Sequence, residues 1–183
     1  MKKVDPELAR ELLATAEPAD AITVAGYAVY AMDSTIRPRP DAETLPDRGK
    51  VYSASKQGTV PGHQYSWLGR VIAQGQSWFA PRDVERIATS TTPAAVAAEQ
   101  VKRLALTLVA SVLAVIVADS HYAKRVFLAV FVTLPNLCVL VWTLAKIAVL
   151  GQFRPVLTDF ALFQRHPCPT YGGVAQLRPL YGG

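Results

Sequence analysis

Leu104–Ala118 (LALTLVASVLAVIVA) and Val126–Leu150 (VFLAVFVTLPNLCVLVWTLAKIAVL) decide how the chain is read. The first run carries no charged residue, and the second only Lys146 near its end. Asp119-Ser120-His121-Tyr122-Ala123-Lys124-Arg125 is a polar break between them. Two apolar runs so closely spaced predict a hairpin of two transmembrane helices. As a helix the first reaches only about 22 Å, against a hydrocarbon core of about 30 Å. Lys102 and Arg103 can close part of that gap by snorkelling. The second run is long enough even when tilted. Pro135 is expected to kink it, with Asn136 satisfying a freed backbone group. Trp142 is placed for an aromatic belt, and Lys146 can snorkel beyond it. In a rival topology, helix continues through the break, which lacks Gly and Pro, and only the second run spans.

Upstream, Thr92-Pro93 is a strong helix start, with Thr as N-cap and Pro at the first position. No Gly or Pro follows until Pro135, so one helix is expected to run from Pro93 to Ala118. Trp67, Leu68, Val71 and Ile72 share one helical face of Gln64–Gln74. Pro81 can open a second short helix, with Val84, Ile87 and Ala88 inward. Trp beside Arg on short amphipathic pieces suits a membrane interface or a neighbouring subunit. Residues 37–62 hold Pro38, Pro40, Pro46 and Pro61 together with Gly49, Gly58 and Gly62, and read as a long loop. Ala21–Met32 is a packed apolar segment whose type Gly26 leaves open. Val4, Leu8 and Leu12 line one face of a short helix that Asp5 caps.

The charge is polarised. Of the net +5, residues 1–33 carry −3 (three basic, six acidic), and residues from 100 onward carry +6 (eight basic, two acidic). A basic surplus beside apolar runs points to lipid headgroups rather than nucleic acid. The basic pairs Lys102-Arg103 and Lys124-Arg125, with Lys146 and Arg154, are therefore the candidate contacts for anionic lipid such as cardiolipin. The alternative is that they only anchor the helices. The flanking charges place both chain ends on the positive side of the membrane. Lys2 and Lys3 lead into acidic residues, so no secretory signal is expected.

Catalytic chemistry finds little support in the residue pattern. Of His63, His121 and His166, only His121 is near a span, and it lies at the break, which disfavours haem. His166-x-Cys168 supplies two zinc ligands with no second pair. Cys138 and Cys168 make no disulfide framework. No carboxylate lies inside a span, as ion translocation would require. No nucleophile motif or phosphate loop is present. No catalytic residue, metal site or cofactor is expected.

The fold class expected is therefore mainly α: a membrane protein with two transmembrane helices, short amphipathic helices and extended Pro/Gly-rich segments. Three regions follow: 1–92 outside the membrane, 93–150 with spans at about 104–118 and 126–149, and an extended tail at 151–183. Such a layout is similar in kind to accessory subunits of respiratory-chain or ATP-synthase assemblies, a likeness of architecture carried by no family motif. It implies a non-catalytic structural subunit of an energy-converting membrane complex, sited in the mitochondrial inner membrane. Its partners would be other subunits and the bilayer, not nucleic acid. The alternative is a small self-assembling hairpin that forms pores or curves membranes.

Overall fold

A computed structural model describes residues 5–15, 18, 20–73, 79–109, 111–142 and 147–150. Its centre is an eight-stranded mixed sheet. The strands are β1 (Thr23–Val24), β2 (Tyr27–Pro38), β3 (Gly49–Ser53), β4 (Gly58–Val71), β5 (Phe79–Ile87), β6 (Ala114–Asp119), β7 (Leu137–Trp142) and β8 (Ile147–Leu150). The helices are α1 (Pro6–Thr15), α2 (Pro93–Thr107), α3 (Arg125–Leu128) and α4 (Val130–Thr133), with a 3-10 turn at Ser120–Tyr122. Across the sheet the order is β4-β2-β6-β7-β8, with β3 and β5 both on the far edge of β4. Strands β2, β6 and β7 run parallel; the other pairings are antiparallel.

The two apolar runs are core strands rather than spans. No helix among the described residues is long and apolar enough to cross a membrane. Helix α2 stops at Thr107, whose hydroxyl turns back to the Leu104 carbonyl at 2.8 Å, and Leu108 is extended. The chain re-enters the sheet as AVIVAD in β6, crosses through α3 and α4, and returns as LCVLVW in β7. Ala114, Val115 and Ile116 are each 0% exposed, and Leu137–Val141 are all buried. Successive strand residues point to opposite faces, so a strand covered on both faces reads as an unbroken apolar run. That reading competes with a helical span, and Val and Ile at the branching positions favour the strand. The mainly α, two-span architecture is thus corrected to a β-rich mixed sheet. The inner-membrane location and the link to respiratory-chain or ATP-synthase assemblies rested on those spans and are withdrawn with them.

Other segments are corrected on the same ground. The stretch read as helix at Gln64–Gln74 belongs largely to β4, and Pro81–Ala88 to β5. Strand alternation places Trp67 on one face and Leu68 on the other, which a helical wheel had merged. Part of the expected long loop is the β3–β4 hairpin, paired from Gly49↔Gly62 to Ser53↔Gly58. Gly26 marks a two-residue turn: Ala25 and Gly26 both have positive φ (50° and 82°), joining Val24 to Tyr27. A primed turn of this kind matches the strand twist.

The two helix starts read from the sequence are present. Asp5 Oδ1 accepts from the Glu7 amide at 2.9 Å, and Thr92 Oγ1 from the Ala95 amide at 3.3 Å. Ala94, Ala97, Ala98, Val101 and Leu104 form the stripe that α2 lays on the sheet. They pack against Tyr30, Met32, Leu68, Ile116, Val139 and the aromatic trio Tyr122, Phe127 and Phe131.

Candidate active site

Strands β2 and β6 are parallel neighbours, but the chain leaves them in opposite directions. From β2 it returns antiparallel to β4; from β6 it crosses to β7. Such a divergence opens a crevice at the carboxyl ends of the strands, the place where open sheets of this kind hold ligands. The parallel register runs from Ala28↔Ala114 to Met32↔Ala118. The next residue on each strand is an aspartate: Asp33 on β2 and Asp119 on β6. Neighbouring strands lie about 5 Å apart, so the register sets these two acids on adjacent strands at their carboxyl ends.

Both acids project to the same face. Tyr30, Met32, Ile116 and Ala118 belong to the core under α2, so alternation turns Asp33 and Asp119 to the opposite side. Both are exposed. Each is held by the backbone beside it. Asp33 Oδ1 accepts from the Ser34 amide at 2.7 Å, and Asp119 Oδ1 from the His121 amide at 2.9 Å, where it caps the 3-10 turn. His121 Nδ1 lies 3.2 Å from Asp119 Oδ2.

Beneath the pair, the helix-side core carries a polar seam. Ser66 Oγ donates to Gln100 Oε1 at 2.6 Å, and Gln100 Nε2 donates back to the Ser66 carbonyl at 3.3 Å. This exchange fixes α2 against β4. Burial pushes the Tyr122 phenol up to about 12; the Asp33 and Asp119 charges add to the rise, and the Ser66 and Ser34 hydroxyls oppose it.

The acid-bearing face continues across β2, β4 and β5. A cleft of about 250 Å³ is lined by Asp33, Thr35, Trp67 and Phe79. On the far side of Trp67, a second of about 320 Å³ is lined by Arg37, Arg39, His63, Tyr65, Trp67 and Val84. The larger cavity, about 360 Å³, lies among α1, α2, β4 and β5, and Arg82, Asp83 and Arg103 in its wall are engaged. There Arg103 donates to Asp83 Oδ2 at 2.8 and 2.9 Å and also to Glu85, while Arg82 donates to the Leu13 carbonyl. That cavity is a braced joint between elements.

No protein-family model, curated protein or solved structure matches this chain. The site is therefore read on its own chemistry.

Asp33 and Asp119 fit a hard divalent cation. Mg²⁺ is bound through one or two carboxylates, several waters and the oxygens of a phosphate substrate, not through a closed protein cage. Two adjacent, exposed carboxylates meet that requirement. Among the described residues, no group of three or more His, Cys, Asp or Glu could hold a metal, so a cation here would rest on the two aspartates, water and the oxygens of a substrate.

The basic residues read from the sequence lie elsewhere. Lys102 is on the exposed side of α2, paired with Glu99 at 2.7 Å. Arg103 is committed to Asp83 and Glu85. Lys124 and Arg125 are exposed where α3 begins. Lys146 and Arg154 fall outside the described residues. In the sequence Asp33 follows the apolar segment Ala21–Met32, and Asp119 opens the polar break. One signal was available: each ends a run rich in Val, Ala and Ile with an acid followed by Ser (Met32-Asp33-Ser34, Ala118-Asp119-Ser120).

Proposed function

We propose that the chain carries out divalent-metal-dependent phosphoryl transfer on the phosphodiester backbone of a nucleic acid. The observation that carries this reading is the placement of Asp33 and Asp119 on adjacent parallel strands at the crevice where the chain diverges. Like charges directly opposite on neighbouring strands are destabilising. A fold that keeps such a pair with no cationic side chain bridging it among the described residues breaks a local rule, as functional sites do. The non-catalytic reading drawn from the sequence had no paired carboxylates to explain.

The division of labour follows from the geometry. Asp33 and Asp119 supply hard anionic oxygens from rigid strand positions, so the spacing between them is set by sheet geometry rather than by loop conformation. His121 is a positioning residue, restricting the Asp119 carboxylate through its ring and its amide. When bound, Mg²⁺ or Mn²⁺ supplies charge neutralisation at the phosphate and a more acidic water as nucleophile. Both acids are exposed at the carboxyl ends of their strands, beside open clefts rather than in a closed pocket. That openness favours a polymer passing over the face rather than a small phosphate ester held on all sides.

The test has two readouts. Mn²⁺ binding is measured by water-proton relaxation, and cleavage of a labelled oligonucleotide or nicking of supercoiled DNA is followed with Mg²⁺ or Mn²⁺. The wild-type chain is expected to bind Mn²⁺ and to cut. Asp33→Asn and Asp119→Asn should each weaken Mn²⁺ binding at least tenfold and lower cleavage at least a hundredfold. Cleavage unaffected by both substitutions, or absence of Mn²⁺ binding by the wild type, would overturn the proposal.

A further inference from the structure

The second cleft sits on the same face as the acid pair and carries cations for which the fold has no use. Arg37 and Arg39 are exposed and line it together. Among the described residues, neither guanidinium has an ion-pair partner. Other arginines nearby are consumed. Arg48 donates to the Arg39, Pro40 and Glu43 carbonyls, and Arg86 is paired with Asp47 at 3.0 Å. Asp47 is in turn held by Thr89, through its hydroxyl and its amide at 3.1 Å, and those bonds keep its carboxyl below the usual range. His63 is buried against the Pro46 carbonyl at 3.1 Å. The cleft therefore has a braced wall and two unneutralised cations at its rim.

Its aromatic residues complete the pattern. Trp67 and Tyr65 lie two apart on β4, on one face and partly exposed. Trp67 also lines the cleft that holds Asp33, so the indole forms the partition between the acid pair and the arginines. Its N–H is covered and finds no acceptor among the described residues. Cations that track a phosphate backbone, with aromatic faces for bases to stack on, are what single-stranded nucleic acid needs.

We infer that the groove from Trp67 and Tyr65 to Arg37 and Arg39 is the track for a single-stranded arm of nucleic acid leaving the acid pair. Phosphates sit on the two guanidinium groups, and a base stacks on Trp67. Arg37 lies four residues along β2 from Asp33, about 13 Å. The direction of the arm rests on the proposed role of Asp33 and Asp119; binding in the groove does not.

Fluorescence anisotropy with a fluorescein-labelled single-stranded DNA 20-mer, in EDTA and over a range of NaCl concentrations, tests the track without any metal. Arg37→Ala/Arg39→Ala should weaken binding at least tenfold and lower the slope of log affinity against log salt by about 1.4, or 0.7 per lost phosphate contact. Trp67→Leu should weaken it about tenfold, whereas Trp67→Phe, which retains an aromatic face, should bind within about threefold of wild type. Lys102→Ala, on the opposite side of the sheet, should leave affinity and slope unchanged. An unchanged slope in the double variant, or an equal loss in Lys102→Ala, overturns the track. If the slope falls as expected while Asp33→Asn and Asp119→Asn leave Mn²⁺ binding and cleavage untouched, the groove stands and the catalytic reading falls.

Discussion

Leu106 and Ile116 both belong to the apolar run at 104–118, and in a membrane span they would be interchangeable. In the sheet they are opposites: Leu106 is 87% exposed on the last turn of α2, and Ile116 is 0% exposed in β6. Ile116→Ala removes three buried carbons, a transfer loss of about 2.4 kcal/mol at about 0.8 kcal/mol per methylene, and leaves a cavity in a packed layer; about 3–4 kcal/mol is expected in all. Val115→Ala, on the other covered face, removes two carbons and should cost about 2 kcal/mol. Leu106→Ala should stay within about 0.5 kcal/mol. With a urea m-value of about 1.5–2 kcal/mol/M, Ile116→Ala moves the unfolding midpoint down by about 2 M. Equilibrium urea unfolding followed by far-ultraviolet circular dichroism reads all three. If Leu106→Ala and Ile116→Ala shift the midpoint equally, β6 is not a core strand and the assignment of the acid pair fails with it.

Three further outcomes follow from the same structure. Thermal melting with 10 mM Mg²⁺ should stabilise the wild type by about 1–2 kcal/mol for a millimolar site and leave Asp33→Asn unmoved; the same substitution should add a few tenths of a kcal/mol without metal, by relieving the charge opposition. Burial holds the Cys138 thiol up at about 11 and the Tyr122 phenol up at about 12 in the folded chain. The unfolded chain therefore releases these protons first, and stability falls with pH from about 9 to 12, by up to about 3 kcal/mol per group; below pH 9 neither group contributes. Cys138→Ala should flatten the early part of that fall and Tyr122→Phe the later part, read from urea midpoints at successive pH values. Gly69→Ala should cost about 1–3 kcal/mol or more, because the new methyl would run into the Phe79 ring and lie 2.6 Å from the Ala80 carbonyl oxygen, which is backbone and cannot turn aside.

What was legible in the sequence was what local chemistry alone decides. The α1 and α2 starts follow from Asp5 and from Thr92-Pro93, because a cap needs only its own first turn. The type of the apolar runs was not local. AVIVA and LCVLV are short enough for strands, yet they sit in longer apolar stretches in which no Gly or Pro marks where α2 ends. The boundary near Thr107 is set by the sheet that β6 enters, a tertiary effect on a helix with no stop signal of its own. Trp67-Leu68 misled for a related reason. Adjacent large apolar residues fit one helical face, but in β4 they serve two faces, Leu68 under α2 and Trp67 on the acid-bearing side. Gly26, which left the type of its segment open, is part of the turn that allows β1 and β2 to pair.

The acid pair was illegible because no part of it is contiguous. Asp33 and Asp119 become neighbours only through the parallel register of β2 and β6, and that register depends on the α2 crossover packing its Ala-rich stripe over both strands. Parallel pairing requires such a crossover, and parallel strands next to each other with divergent exits create the crevice. Once β6 is a strand, its terminal acid cannot remain a headgroup-level residue; it must stand beside whatever ends the parallel part of β2. The same step turns Arg37 and Arg39 from loop residues into the rim of a sheet face shared with the acids. The correction of the fold and the functional reading are thus one inference: the apolar run that excluded chemistry as a span is, as a strand, what brings the two carboxylates together.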